Sequence, residues 1–331
     1  MKYVDFRKYI EENGAPRICL LEGEEEYFRT KGSEMLVGKY VMEPTLDYAS
    51  FDGAALKGEK IKTLVAAVES YPFLSERRVV RVTEFYPTEK DYEGYLKPLF
   101  ENPPEFSLFL IVNTNKSVKG AIKLSDKPNV THVDCGRADE ETIKKWIYVT
   151  AKRAGLYIDG VTCGKLVAYC TLDMARVAKE TEKLITYARA TGSDRITDET
   201  VDEVVYPDSE YKIYELATAL SRKNYSAYMR ILKELLTKGF DELSLLSSLV
   251  YHFKGLYEVV VSRGTDREIA TALGMKEYAV RKSREQAQKL GKAEVLRCYR
   301  LVNGAIGAVK SGELTPPSAL DKVTASLLFG G

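Results

Sequence analysis

The stretch from 61 to 82, I-K-T-L-V-A-A-V-E-S-Y-P-F-L-S-E-R-R-V-V-R-V, predicts a helix, a proline turn and a strand in direct succession. Four apolar residues recur at the spacing of one buried helix face: Ile61, Leu64, Val65 and Val68. The β-branched residues at 79, 80 and 82 indicate a short strand. Because Pro72 disfavours helical backbone in the residue before it, we expect the helix to end near Ser70 or Tyr71.

Two large apolar side chains, Phe73 and Leu74, follow this helix stop directly. One interpretation is that they fold back and cap the core. The other is that they stay exposed and enter a pocket on a partner, since aromatic and aliphatic anchors carry most of the binding energy of an interface. Spacing alone leaves both interpretations open.

The length of 331 residues is too great for one ordinary core, so we expect two or three domains. Lysine and arginine number 49 and aspartate and glutamate 48, which gives a net charge of +1. Such a balance provides no general attraction to nucleic acid or to an anionic membrane. Any contact with DNA must therefore come from local patches.

The five cysteines are odd in number and show no C-x-x-C spacing: Cys19, Cys135, Cys163, Cys170 and Cys298. This pattern favours reduced thiols in a cytosolic protein over a disulfide framework or a zinc site, and we expect no metal. The first ten residues carry charges where a signal peptide needs an apolar segment, and no apolar run of about 18 residues occurs. The sequence therefore predicts a soluble, cytoplasmic protein without a membrane partner.

A remnant of a phosphate-binding loop follows the apolar run at 18–21. Residues 23–30, G-E-E-E-Y-F-R-T, keep Gly23 and Thr30 of the pattern G-x-x-x-x-G-K-[ST], but Phe28 replaces the second glycine and Arg29 the lysine. Phenylalanine blocks the wrapping of backbone N–H groups around phosphate, and three adjacent glutamates repel it. An ordinary strand-to-helix turn is favoured over a nucleotide site, so we expect no cofactor.

The remaining chain divides by its pattern into three predicted domains. Phe106–Val112 is an apolar strand that ends in N-T-N, where a phosphate-loop ATPase needs an acid for magnesium. Residues 1–137 alternate strands and helices and predict an α/β domain with a mostly parallel sheet. Residues 138–207 predict a small helical domain. After the break at Tyr206-Pro207, residues 208–331 predict an all-α domain.

The segment 265–290 has the helix, glycine turn, helix form of a helix-turn-helix. Its second half is rich in basic residues: Lys276, Arg281, Lys282, Arg284 and Lys289. A DNA-binding regulator that reads sequence with this helix is therefore an alternative function. The other interpretation is a packed helical hairpin with a solvated basic face.

Three motifs in order resemble the delta subunit of bacterial DNA polymerase III, a clamp-loader family. The first is the turn P-F-L-S-E-R-R at 72–78. The second is E-T-E-K-L at 180–184, which fits the family pattern Glu-x-x-Lys-Leu. The third is L-G-M-K-E-Y-A-V at 273–280, followed by A-V-K-S-G at 308–312. The chain departs from the family where Leu74 replaces a frequent second aromatic. It also has Gly304 or Ala305 where the family has an acid before Lys310.

The resemblance implies an AAA+-like first domain without a working phosphate loop, a lid domain and an oligomerisation domain called the collar. It implies a non-catalytic subunit of the polymerase holoenzyme that binds the sliding clamp, the beta subunit, through Pro72, Phe73 and Leu74 and opens it. The gamma or tau and delta-prime subunits are implied partners, with primed DNA bound by the assembled loader. The residues themselves offer no catalytic site, since His132 and His252 lie far apart without a nucleophile motif.

Overall fold

A parallel β-sheet forms the centre of the first of two compact units in the computed structural model, which describes residues 1–114, 116–275 and 277–329. The first unit comprises residues 1–153 with 174–179, and the second comprises 154–173 with the described part of 180–331. The five strands are β1 (Ile18–Glu22), β2 (Tyr48–Asp52), β3 (Arg78–Thr83), β4 (Ser107–Asn113) and β5 (Val130–Asp134). Their order across the sheet is β2-β3-β4-β1-β5.

All neighbouring strands of this sheet run parallel, so their amino ends share one edge and their carboxyl ends the other. Strand β4 is buried at every position, as its unbroken apolar sequence predicts. The helices around the sheet are α1 (Tyr3–Asn13), α2 (Glu26–Tyr40), α3 (Pro44–Asp47), α4 (Ile61–Val68), α5 (Glu89–Asp91), α6 (Lys97–Glu101) and α7 (Glu140–Arg153). Short 3-10 turns occupy Gly53–Ala55, Gly58–Lys60 and Leu124–Asp126, and a π-helical turn occupies Tyr92–Leu96.

Helix α4 packs on one face of the sheet through the apolar stripe seen in the sequence. Ile61, Leu64 and Val68 are buried against Val80 and Val82 of β3 and belong to one core cluster. The helix ends at Val68, earlier than the residues before Pro72 that the sequence indicated. Its last backbone bond runs from the N–H of Glu69 to the carbonyl of Val65, and the chain leaves the helix there.

The second unit is mainly helical. It holds a two-stranded parallel ribbon, β6 (Tyr157–Ile158) with β7 (Arg195–Ile196), which the sequence did not indicate. Its helices are α8 (Gly160–Tyr169), the later turns of α9 (Met174–Ala190), α10 (Asp198–Val204), α11 (Ser209–Ser221), α12 (Tyr225–Thr237), α13 (Glu242–Val261), α14 (Asp266–Leu273), α15 (Glu277–Leu290), α16 (Lys292–Lys310) and α17 (Pro316–Leu328). Helices α11–α13 and α15–α17 share one apolar core.

Within this unit, the short helices before 208 are bonded to the longer ones after it. The N–H of Asp208 donates to the carbonyl of Tyr169 at 2.9 Å, and the hydroxyl of Tyr206 donates to Glu234 at 2.8 Å. The rings of Tyr169 and Tyr211 lie 4.9 Å apart. The division into domains at 137 and 207 stays a prediction, because the two compact units group the residues on a coarser scale.

The cysteines lie in the interior of both units. All five are buried, and burial raises the pKa of the Cys135 and Cys298 thiols to about 12. Among the described residues, none of the helices is both long and apolar enough to cross a bilayer. The described residues also contain no cluster of three histidine, cysteine or acidic side chains arranged to hold a metal ion.

Candidate functional site

The turn that carries Phe73 and Leu74, residues 71–77, precedes β3 and therefore lies at the amino edge of the sheet. Hereafter it is called the apolar turn. Phe73 is 75% exposed and Leu74 60% exposed. Neither side chain caps the core, so the structure does not follow that interpretation of the sequence. Neighbouring large apolar side chains that face solvent are unusual on a protein surface and are typical of a binding surface.

The apolar turn is held from below by one buried carboxylate. Asp47, the last residue of α3, is 0% exposed. Its two oxygens accept the backbone N–H groups of Phe73 at 2.5 Å, Leu74 at 2.8 Å and Ser75 at 2.7 Å. Three consecutive backbone N–H groups therefore point inward to one carboxylate, and the side chains of Phe73 and Leu74 point outward.

Burial alone would raise the pKa of Asp47, but the hydrogen bonds from Phe73, Leu74 and Ser75 outweigh it and hold the pKa well below its usual range. The group is therefore ionised at neutral pH. An ionised carboxylate accepts these N–H groups with charge-assisted hydrogen bonds, which are stronger than neutral ones.

Two further side chains connect the apolar turn to the segment before β2. The hydroxyl of Ser75, which is buried, accepts the N–H of Met42 at 2.9 Å. The guanidinium of Arg78 donates to the carbonyl of Leu46 at 2.9 Å and to that of Ala67 at 3.0 Å. Segment 42–47 is therefore bonded at both of its ends to the apolar turn, and through Leu46 to the first residue of β3.

Other apolar side chains near the turn are also exposed. Tyr71 is 76% exposed although its ring stacks on Phe106 with centroids 3.9 Å apart. On the adjoining segment, Met42 is 80% exposed and Leu46 43% exposed. Pro72 is partly buried at the start of the turn. The exposed apolar surface therefore has contributions from two segments, the apolar turn and residues 42–46, and the sequence indicated only the apolar turn.

Asp47 is the residue that sequence reasoning missed. In the sequence it is one acid among many, in the stretch P-T-L-D-Y at 44–48, and its partners lie 26 to 28 positions further on. The only local signal is an acid at the end of a short proline-initiated helix, directly before a strand. That signal does not reveal which backbone the carboxylate binds.

The phosphate-loop remnant lies at the opposite, carboxyl edge of the sheet, after β1. Several of its backbone N–H donors are already used within the protein. The N–H of Gly23 donates to the carbonyl of Asn113 at 3.1 Å, and that of Glu25 to the carbonyl of Cys135 at 2.9 Å. The N–H of Tyr27 donates to the Glu25 carboxylate at 3.3 Å. A phosphate group would have to displace these bonds.

The side chains of the remnant are placed for packing. Gly23 has a φ of 151°, and a Cβ added there would lie 2.0 Å from the carbonyl carbon of Cys135, so this glycine permits a close approach of two backbones. Phe28 is buried and stacks on Tyr3, with centroids 4.4 Å apart. Arg29 is partly buried and Thr30 exposed. The amide of Asn113 bonds both the N–H and the carbonyl of Phe85 at 2.9 Å.

We expect the chain neither to bind nor to hydrolyse ATP, because Phe28 stands where the motif needs a glycine and the N–H groups of Gly23 and Glu25 are bonded within the protein. Isothermal titration of the full chain with Mg-ATP should show no saturable heat. A parallel titration with Mg-ADP tests whether the chain binds a nucleotide that lacks the γ-phosphate. A dissociation constant in the low micromolar range would contradict this prediction.

The basic hairpin at 265–290 is packed onto the second unit. Gly274 ends α14 in the left-handed conformation at φ 65°, and Ile269 and Val280 pack with Val259 of α13. Arg284 donates to the Asp266 carboxylate at 2.9 Å. Lys276 lies outside the described residues. Part of the basic charge is thus neutralised within the hairpin, which favours a packed element over a DNA-reading helix.

Comparison with known proteins identifies relatives for the whole chain. Residues 210–326 match the family model of the C-terminal domain of the DNA polymerase III delta subunit. The DNA polymerase III subunit delta of Bacillus subtilis (strain 168) is 21% identical over 307 residues, which cover 88% of this chain and 87% of that protein. The solved structure of the Bacillus subtilis DNA clamp loader delta protein matches with a TM-score of 0.72 at 18% identity and covers 98% of this chain and 99% of that one.

These matches confirm the resemblance and the fold class that the sequence indicated. The first unit is a parallel α/β domain, the C-terminal region is helical, and the fold matches that of the solved clamp loader delta protein. The roles of Pro72, Phe73 and Leu74 stay predictions, as does the inactivity of the loop at 23–30.

Proposed function

We propose that this protein binds and opens the sliding clamp, because residues 210–326 match the family model of the DNA polymerase III delta C-terminal domain and the whole chain resembles a delta subunit. It does so as a non-catalytic member of the clamp loader during DNA replication in the cytoplasm. The observation that supports clamp binding most directly is the pair Phe73 and Leu74, exposed side by side on a braced turn.

The chemistry of this pair defines the pocket that it fits. Phe73 offers a flat aromatic ring and Leu74 a branched aliphatic group, so the complementary site is an apolar pocket with room for both. Pro72 and the Asp47 carboxylate restrict the backbone between them, which reduces the entropy lost when the turn is bound. A small contact of this kind can bind well only because its anchors are already presented.

Clamp opening follows in this proposal from differential binding. A surface that fits an opened clamp better than a closed one shifts the clamp toward the open state by that difference in affinity. The chain needs no hydrolysis of its own for this step. ATP-dependent timing would come from other subunits of the loader.

The experiment that tests the proposed function is a binding assay between the purified full chain and the sliding clamp of the same organism, without nucleotide. We expect a saturable complex by surface plasmon resonance and co-elution on gel filtration. The clamp of a distant organism is a specificity control. The absence of any complex at micromolar concentrations would overturn the proposed function.

Assembly with the gamma or tau and delta-prime subunits is proposed for the helical region 208–331, whose helices carry exposed apolar side chains. These include Tyr225, Met229, Leu243, Tyr251 and Phe329. Amphipathic helices associate by burying such stripes against one another. Primed DNA is a partner of the assembled loader in this proposal.

Removing residues 208–331 should abolish co-elution with those loader subunits and leave clamp binding intact, since the apolar turn lies in the other unit. The deletion also removes the contacts of Tyr169 with Asp208 and Tyr211, so we expect residues 154–207 to lose stability. Unchanged clamp affinity would show that the first unit is still folded. Assembly that survived the deletion would contradict this assignment.

A further inference from the structure

The hydrogen bonds between Asp47 and the apolar turn depend on the backbone conformation of the turn. A buried ionised carboxylate is costly unless its oxygens receive hydrogen bonds. Here the donors are the amides of Phe73, Leu74 and Ser75, which converge on Asp47 only while the turn keeps its present shape. The free energy of burying the carboxylate therefore depends on the conformation of the turn.

We propose that Asp47 is a positioning residue for clamp binding: its carboxylate fixes the backbone of residues 73–75 so that Phe73 and Leu74 stand in solvent before the clamp arrives. This inference rests on the proposed function, in which those two side chains are the anchors. Asp47 itself lies beneath the turn and is 0% exposed, so it acts through them and makes no clamp contact in this arrangement.

The other restraints on the turn act beside the anchors and not on them. Ser75 is bonded to Met42, and Arg78 to the carbonyls of Leu46 and Ala67. These bonds keep the two segments together. Within the described part of the chain, the Asp47 carboxylate is the group that accepts the N–H groups of Phe73 and Leu74 themselves.

Without the carboxylate, the exposed state of the anchors loses its support. Folding two large apolar side chains onto nearby apolar surface lowers the free energy of the protein. Met42, Leu46 and Tyr71 provide such a surface. The clamp would then bind only the fraction of molecules whose turn is in the exposed conformation. If that fraction falls to about one tenth, the apparent affinity falls about 10-fold.

The Asp47→Asn variant tests this with little change in side-chain shape. The asparagine keeps one acceptor oxygen but places an NH₂ group against the turn amides, so at least one of the three bonds is lost. Asp52→Asn is the matched control. Asp52 ends β2, the strand that follows Asp47 in the chain; it is exposed and accepts the backbone N–H of Ala54 at 3.0 Å.

Clamp affinity should be measured for five proteins: the wild type, Asp47→Asn, the double variant Phe73→Ala with Leu74→Ala, the combination of all three changes, and the Asp52→Asn control. We expect Asp47→Asn to weaken binding about 10-fold in the wild type but less than about twofold when both anchors are already alanine, because coupled residues give non-additive effects. Asp52→Asn should bind as the wild type does.

Hydrogen exchange of the unmodified protein provides a second measurement that does not depend on a variant folding. The amides of residues 73–75 should exchange slowly although the side chains of Phe73 and Leu74 are exposed, and Asp47→Asn should accelerate them selectively. Exchange in the wild type as fast as in an unstructured peptide would overturn the proposal.

The possible failures are distinguishable. An equal loss from Asp47→Asn in both backgrounds would show general structural damage and overturn the positioning role, as would no loss in the wild type. Unchanged affinity of the double alanine variant would overturn the proposed anchor contact, and the role of Asp47 with it.

Discussion

Truncating Phe73 and Leu74 together to alanine should lower the affinity for the sliding clamp by roughly 30-fold to nearly 1,000-fold, which corresponds to about 2 to 4 kcal/mol. The two side chains are the central anchors of the proposed contact, and alanine leaves their pocket on the clamp unfilled. Surface plasmon resonance with immobilised clamp measures this loss, with the highest analyte concentrations needed for the double variant.

Thermal unfolding of the same variant separates a binding role from a folding role. Because the two side chains are 75% and 60% exposed, their truncation should change the melting temperature little. Tyr148→Ala, at an exposed position of α7, is a control that should alter neither clamp affinity nor stability. A double variant that unfolds many degrees earlier and still binds its clamp would show Phe73 and Leu74 to be core residues.

Acidification from about pH 6.5 to about pH 4 should destabilise the second unit by on the order of 2 kcal/mol through His252. Burial lowers the pKa of this histidine from 6.5 to about 4, an effect that Gln286 partly opposes. Between these pH values the unfolded chain binds a proton that the folded chain does not, so stability is full above pH 6.5 and declines as the pH falls. The expected magnitude is below the full effect of the shift, because the His252 residue is only partly buried.

Urea unfolding at pH 7 and at pH 4.5, monitored by signals from the helical region, measures this difference. His252→Gln should reduce the difference, since glutamine does not titrate. Asp47 does not confuse the comparison, because its folded pKa is far below the usual carboxylate value and its contribution is lost only at lower pH. An identical pH dependence in the wild type and in His252→Gln would contradict the assignment.

The sequence predicted those parts of the fold that depend on local periodicity. The apolar run at 106–112 corresponds to β4, and the valine-rich run after the apolar turn corresponds to β3. The long helices α12 and α13 lie in the region 208–331, which the sequence predicted to be all-α. Each of these signals comes from side chains that alternate or recur within one element.

The sequence could not predict contacts that the order of strands creates. Asp47 and Phe73 meet because β2 and β3 are parallel neighbours, so the residues that precede the two strands lie together. In the same way, Gly23 meets Cys135 because β1 and β5 are neighbours and end at one edge. The motif remnant at 23–30 indicated a defective phosphate loop, but not that its first glycine serves a close backbone contact.

The burial of all five cysteines has a practical consequence for observing this protein at work. Their thiols are enclosed, and those of Cys135 and Cys298 stay protonated near neutral pH, so they react slowly with maleimides. A single cysteine introduced by Met42→Cys would be solvent-exposed, because Met42 is 80% exposed. It would also lie beside the apolar turn, because the N–H of residue 42 donates to the Ser75 hydroxyl. A fluorophore attached there would report the arrival and departure of a binding partner in real time, without first removing the native cysteines.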